Sequence, residues 1–392
     1  MTKEKRTYRF DRMELAGSLG DLGTLLPLAI GMIVLCDLQA TAVFLLVGLF
    51  YILAGSYFGV PTAVQPMKTI GAYAIAAGLS AQQITSAGLW MGVILLLLGL
   101  TGLIEVIRKY TPKNIVRGVQ LALGVVLLTK GLSLIIDKDP GLGVQSVGPV
   151  GLGLIIGVAG LILTFVLLDN KKIPAALVIV ALGIIAGLIF GRPMDTSDFH
   201  WGLHLPDPLP YGWPDWEVIL WVLPMVVLPQ LPMTIGNAIL SNTDLSNEYF
   251  PDAAQRVTVR AVTLSQGLAN AAAFFFGGMP MCHGAGGLAA HYRFGARTAG
   301  SNIIIGAIFV VLALLFGEGI VPVLRVMPLS ILGVLLTFAG LQLALMIQDL
   351  TERRDFFVVL LMLGLTLVFN LAVAFLTGIV VAYVLKARWI KV

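Results

Sequence analysis

Two stretches decide how this chain is read: Val60-Pro61-Thr62-Ala63-Val64-Gln65-Pro66-Met67-Lys68-Thr69 and Gly277-Gly278-Met279-Pro280-Met281-Cys282-His283-Gly284-Ala285-Gly286-Gly287-Leu288. Both are apolar enough for a membrane interior. Neither can be one continuous helix, because proline removes a backbone donor and glycine weakens a helix interior. Each also carries a Pro-Met pair, Pro66-Met67 and Pro280-Met281. Short Gly/Pro-broken segments in corresponding places of two halves point to a transporter's binding site near the bilayer midplane.

The surrounding chain is membrane throughout. Of its 392 residues 58% are hydrophobic and 12% charged, against roughly 25% charged in an ordinary globular chain. Apolar runs suggest spans near 15–35, 38–58, 60–79, 83–107, 117–136, 149–168, 173–190, 217–240, 256–276, 278–292, 299–317, 327–347, 355–370 and 372–388. Fourteen spans of about 21 residues leave roughly 98 residues for loops and tails, too few for a second domain. The polar, basic segment Met1–Arg12 runs directly into a span with no cleavage site, so it reads as a cytoplasmic tail and not as a signal peptide.

Basic residues test the count, since they should collect on the cytoplasmic side. All but five of the 25 Lys and Arg fall on one side: the N-terminal tail, Arg108–Arg117, Lys171–Lys172, Arg256 and Arg260, Arg293 and Arg297, Arg353–Arg354, and Lys386–Lys391. The exceptions are Lys68, Lys130, Lys138, Arg192 and Arg325. Both termini are therefore expected in the cytoplasm of a multi-pass cell-membrane protein, with the Pro- and Trp-containing loop Gly191–Trp216 outside. Dispersed basic residues and a net charge of +4 argue against nucleic-acid binding. Cys36 and Cys282 are too few for a disulfide framework or a metal site.

An even number of crossings divided seven and seven makes the second half enter the membrane in the opposite sense, an inverted repeat. Leu26-Pro27-Leu28-Ala29-Ile30-Gly31 and Leu231-Pro232-Met233-Thr234-Ile235-Gly236 share L-P-x-x-I-G in spans 1 and 8. The fold class is thus all-α polytopic, with 14 transmembrane segments as two inverted seven-span repeats. In spans 3 and 10 we expect extended segments at Val60–Gln65 and Gly277–Met281, then half-helices starting near Pro66 and Cys282. Each helix start carries about +0.5 charge and free N–H donors. Two of them facing one volume would hold an anion.

The expected binding residues are Gln65, Pro66, Met67, Lys68 and Thr69 on one side and Cys282, His283, Gly284, Ala285 and Gly286 on the other, with Gln230 alongside. An unpaired lysine in a membrane costs roughly 2.5–3.5 kcal/mol, which favours Lys68 as an anion ligand over a snorkelling role. Gln65 either offers amide donors or satisfies exposed backbone. Asp21 either pairs with Lys68, carries a coupled proton, or caps a broken first helix; Thr24 lies beside it. Gln230, Thr234 and Asn237, at i, i+4 and i+7 of one helical face, either line the site or bond between helices. His283 either donates to an anion or is simply satisfied, Gly286 and Gly287 either expose backbone or allow close packing, and His291, Arg293 and Arg297 need no role beyond topology.

At these residues the chain resembles the molybdate transporter family within the sulfate-permease superfamily. The resemblance runs through Gly20-Asp21-Leu22-Gly23-Thr24, Val64-Gln65-Pro66-Met67-Lys68, Pro229-Gln230-Leu231-Pro232 with Gly236-Asn237, and Gly278–Leu288 continuing to Tyr292-Arg293-Phe294-Gly295-Ala296-Arg297. It implies uptake of molybdate. It also implies a core domain, residues 13–110 and 217–317, moving against a gate domain, residues 111–191 and 318–392. With the last span ending just before Val392, the soluble regulatory domain of many sulfate permeases is not expected.

The function read here is secondary active transport of a tetrahedral oxyanion, molybdate first and sulfate second, with protons as the coupling ion. An uncoupled anion channel is the alternative from another class. A nucleobase symporter would place acidic residues in spans 8 and 10, where Gln230 and His283 stand instead. No HExxH, nucleophile elbow or phosphate-binding loop points to an enzyme or a primary pump, so no cofactor or metal is expected. The partners are the oxyanion, protons and the lipid bilayer, with a homodimer left open.

Overall fold

The computed structural model describes residues 8–104, 112–136, 146–147, 150–167, 170, 174–190 and 202–387. The basic residues at Arg108–Lys109, Lys138, Lys171–Lys172 and Arg192, together with the first part of the long loop after Phe190, lie outside them. In chain order the helices are α1 Arg12–Ser18, α2 Leu22–Cys36, α3 Ala40–Phe58, α4 Lys68–Ala77, α5 Ala81–Thr101, α6 Lys113–Ile136, α7 Leu152–Leu167 and α8 Ala175–Phe190. They continue as α9 Trp216–Tyr249, α10 Val259–Phe276, α11 Ala285–Phe294, α12 Gly300–Phe316, α13 Ile320–Val326, α14 Leu329–Ala344, α15 Arg353–Val368 and α16 Leu371–Lys386. Four two-residue strands join them: β1 Gln65–Pro66, β2 Ser146–Val147, β3 Val150–Gly151 and β4 Met281–Cys282.

The molecule is a mostly helical membrane protein. Side chains such as Leu100, Ile162, Phe165, Ile189, Leu360 and Val380 are exposed, as helices that are apolar on their outer faces require when the solvent is lipid. Six described helical stretches are long and apolar enough to cross a membrane, and a seventh appears if α1 and α2, bent by 42° at their junction, form one span. That is fewer than the fourteen expected. Three helices, Leu152–Leu167, Ala175–Phe190 and Leu371–Lys386, are apolar but shorter, two further segments are part strand, part helix, and Val259–Phe276 and Arg353–Val368 carry more polar or charged residues.

Helix pairs close to one another pack through glycine. A Cβ on Gly48 of α3 would lie 2.6 Å from the Gly306 carbonyl oxygen of α12, and one on Gly306 would lie 2.7 Å from the Gly48 oxygen. Gly131 of α6 and Gly333 of α14 make the same reciprocal approach. Where lipid is as apolar as the helix faces, such close backbone contact is a main source of helix association.

The two broken segments depart from the sequence expectation in a specific way. β1 and β4 pair antiparallel, Gln65 opposite Cys282 and Pro66 opposite Met281, and the Met67 N–H donates to the Pro280 carbonyl at 2.9 Å. The half-helices therefore start at Lys68 and Ala285, not at Pro66 and Cys282. The physical reason is that extended backbone inside a membrane has no water to bond. Each broken segment satisfies part of the other, and helix begins only past the ladder.

Candidate functional site

Two buried asparagines complete the ladder's hydrogen bonding. Asn270 of α10 accepts from the Met281 N–H at 3.0 Å and donates to the Met281 carbonyl at 2.8 Å. Asn302 of α12 accepts from the Thr62 N–H at 2.9 Å and donates to the Thr62 carbonyl at 2.7 Å and the Tyr51 carbonyl at 3.3 Å. In both cases a side-chain amide stands in for a neighbouring strand. Neither residue figures in the sequence reading. The available signal was an isolated amide inside an apolar span.

Lys68 is the first residue of α4, at the positive end of the half-helix. Among the described residues it makes no ion pair, and it lines a cavity. The next N–H, that of Thr69, is already taken: Gln230 of α9 accepts from it at 2.8 Å and donates through Nε2 to Thr234 Oγ1 at 2.8 Å. Gln230 thus acts as a cap reaching across from another helix. The face expected to hold Gln230, Thr234 and Asn237 runs into a π-helical segment, Thr234–Ser241. Only Asn237 of the three reaches the cavity.

Behind this wall lies a buried acid–amide pair. Gln65 Nε2 donates to Asp21 Oδ1 at 2.6 Å, while Asp21 Oδ2 and Gln65 Oε1 have no partner among the described residues. Two glycines of the α11 region make room for them. A Cβ on Gly284 would fall 1.8 Å from Gln65 Oε1, and one on Gly287 would fall 2.4 Å from Asp21 Oδ2. Gly284→Ala should therefore displace the Gln65 amide and break its bond to Asp21, at a cost of about 1–3 kcal/mol for overpacking a filled site. A lowered melting temperature together with slowed uptake is the expected result; a variant with wild-type values for both would show that Gln65 yields freely.

His283 lies elsewhere. One ring nitrogen, Nδ1, is 2.8 Å from the Ala63 carbonyl oxygen and the other, Nε2, is 2.9 Å from Ser265 Oγ, and its ring stands 4.5 Å from the Phe50 ring, centroid to centroid. Both polar edges are committed to protein, so the structure does not bring His283 to the cavity. Pro66, Met67, Thr69 and Cys282 are likewise buried and are not among the residues that line it. His291 Nδ1 is 2.7 Å from the Gly17 carbonyl oxygen, tying α11 to α1.

The cavity has a volume of about 390 Å³ and is lined from several elements, including Thr24, Lys68, Gln120, Asn237, Gly286 and Arg293. It meets the first turn of both half-helices, at Lys68 and Gly286. A Cβ added to Gly286 would meet nothing within 4 Å, so the backbone there is open to the space. Among the described residues Lys68 and Arg293 are its only charged lining residues, both cationic. A partly apolar concavity with two cations, amide groups and no carboxylate in its wall suits an anion.

These features define a membrane transporter. The fold is shared with the transmembrane domain of a cyanobacterium bicarbonate transporter, BicA, at a TM-score of 0.64 and 17% identity over 94% of this chain and 97% of that one. It is also shared with the murine Solute Carrier 26 family member A9 anion transporter in the inward-facing state, at a TM-score of 0.67 and 14% identity over 100% of this chain and 70% of that one. The chain belongs to the family described as "Molybdate transporter of MFS superfamily", whose model matches residues 13–127 and 223–343. Similar proteins include Molybdate transporter 2 of Arabidopsis thaliana, 32% identical with 96% of this chain and 87% of that one aligned. Molybdate transporter 1 of Chlamydomonas reinhardtii is also 32% identical, over 97% of this chain and 93% of the relative. The family is one of transporters, not enzymes.

Proposed function

We propose that this chain takes up molybdate by secondary active transport, binding the oxyanion in the cavity where the first turns of α4 and α11 meet it. The observation that carries this reading is the wall of that cavity: Lys68 at one half-helix start, open Gly286 backbone at the other, and no carboxylate among the described lining residues. The molybdate relatives support the choice of substrate. In this reading fourteen spans form two inverted repeats, the segments 13–110 and 217–317 move against 111–191 and 318–392, and both termini are cytoplasmic. Uptake into proteoliposomes tests it, with molybdate, tungstate and sulfate in competition and with and without an imposed pH gradient. Saturable molybdate uptake enhanced by the gradient is expected; uptake linear in concentration would indicate a channel, and preference for sulfate would reassign the substrate.

Asp21 is the proposed proton carrier. Its Oδ1 is held by Gln65 and its Oδ2 faces Gly287 without a donor among the described residues, so one carboxylate oxygen is left for a proton to occupy. Asp21→Asn keeps an acceptor for Gln65 but cannot titrate. Equilibrium molybdate affinity should stay within about threefold of wild type, less than 1 kcal/mol, while gradient-driven accumulation is lost. Unchanged pH dependence of uptake in this variant would take Asp21 out of the mechanism.

A further inference from the structure

We propose that the Thr24 hydroxyl is the link through which the proton on Asp21 controls anion binding: it turns its hydrogen toward the cavity when Asp21 is protonated and toward Asp21 when the acid is ionised. This rests on the proton role given to Asp21 above and deepens it. Asp21 is 2% exposed and does not line the cavity, so it needs an intermediary to act on an ion held there. Its side chain caps no N–H of α2, which leaves the carboxyl to side-chain partners. α2 and the turn before it face the cavity with Gly20, Gly23, Thr24, Pro27 and Leu28, at the i, i+3, i+4, i+7 and i+8 spacing of one helical face. Thr24 alone of these has a polar side chain. It also stands three residues from Asp21, the spacing of neighbours on a helix. Its hydroxyl approaches the Asp21 carboxyl, where Oδ2 is still without a full hydrogen bond.

A hydroxyl carries one hydrogen and two lone pairs, so it donates to one side at a time. Ionised Asp21 only accepts and takes that hydrogen. The cavity then meets hydroxyl lone pairs, which repel an ion whose oxygens also only accept. Protonated Asp21 donates to the Thr24 oxygen and frees the Thr24 hydrogen for the cavity, where the oxyanion or the water around it accepts. Proton and anion therefore favour each other's binding, and the coupling is reciprocal. The only covalent change is the O–H bond made or broken at Asp21. The other titratable groups in electrostatic reach of Asp21 are Lys68 on α4, Tyr51 on α3 and Cys282 on β4; His291 lies one turn of α11 beyond Gly287. Tyr51 donates to the Val64 carbonyl at 3.2 Å, the Cys282 thiol to the Pro66 carbonyl at 3.9 Å, and His291 Nδ1 is on the Gly17 carbonyl. Lys68 lines the cavity but makes no ion pair with Asp21. Thr24 is thus the polar side chain that both approaches the acid and lines the cavity.

Thr24→Val keeps the branched shape and removes the hydroxyl, Thr24→Ala removes both, and Thr24→Ser keeps the hydroxyl. Calorimetric titration of the purified full-length protein with molybdate, from mildly alkaline to mildly acidic pH, should show wild-type affinity rising about fivefold or more as the pH falls, the lower end of ordinary coupling between two sites. Thr24→Val and Thr24→Ala should lose most of that pH dependence, and their gradient-driven accumulation in proteoliposomes should fall several-fold. Thr24→Ser should restore both. Wild-type pH dependence in the two variants without a hydroxyl would overturn the link, as would a normally melting Thr24→Ser protein that behaves as they do. Asp21→Asn separates this from the underlying reading: at mildly acidic pH it should bind molybdate nearly as wild type does, with no dependence on pH. If affinity in Asp21→Asn still follows pH, the proton role of Asp21 fails. If Asp21→Asn loses the dependence while Thr24→Val keeps it, Asp21 stands and the link through Thr24 falls.

Discussion

Asn270→Leu is expected to lower the apparent melting temperature of the purified protein more than any other single change considered. The leucine fills much of the same volume but leaves the Met281 N–H and carbonyl, bonded to Asn270 at 3.0 and 2.8 Å, without partners at a depth where water cannot replace them. Each orphaned buried group costs about 1–3 kcal/mol, so about 2–6 kcal/mol is at stake for the pair. Asn302→Leu should act similarly through Thr62 and Tyr51. Loss of the β1–β4 ladder would also misdirect both half-helices, so molybdate affinity should fall with stability. Thermal denaturation in detergent, followed by fluorescence, measures the shift; wild-type melting in both variants would mean that the broken spans are held by packing alone.

Much of this architecture could be read from residue order. Gly59, Pro61 and Pro66 in one segment and Gly277, Gly278 and Pro280 in the other exclude continuous helices, and the broken segments do lie side by side. What order alone could not supply was their mutual pairing, because two-residue strands carry no periodicity and their partners are more than 200 residues apart. For that reason the expected helix starts, Pro66 and Cys282, fall two to three residues before the observed ones, Lys68 and Ala285. Gln230 illustrates a second limit. Its polarity within an apolar span marked it as important, but whether an amide faces a ligand or caps the Thr69 N–H depends on the rotation of α9, which a π-helical turn alters. His283 was ambiguous for a similar reason: both its ring nitrogens found protein partners in Ala63 and Ser265, and neither partner is near it in the sequence reading. The glycines at 284 and 287 were legible as special, but their purpose, admitting the Gln65 and Asp21 side chains, depends on which helix faces them.

Lys68→Ala should weaken molybdate binding by about 1.5–3 kcal/mol, the range for a hydrogen bond to a charged group, or roughly tenfold to more than a hundredfold. The lysine supplies a full charge in a low-dielectric cavity; without it the half-helix starts offer a dianion only their partial charges, and Arg293 alone remains as a cation in the cavity wall. The same change should not destabilise the unliganded protein. Lys68 has no ion-pair partner among the described residues, and a cation in the first turn of α4 opposes the helix dipole, so the alanine variant should melt at or above the wild-type temperature when no oxyanion is present. Added molybdate should then raise the melting temperature of wild type, since a ligand that binds only the folded state stabilises it, and raise that of Lys68→Ala far less at equal concentration. Lys68→Arg should recover little, because the planar guanidinium is larger and requires a different geometry. The crossing of the two melting curves, variant higher without anion and wild type higher with it, marks a lysine kept for binding at the expense of stability. If instead Lys68→Ala melts lower in both conditions and binds molybdate with wild-type affinity, the lysine is structural, and the anion must be held by the backbone donors around Gly286.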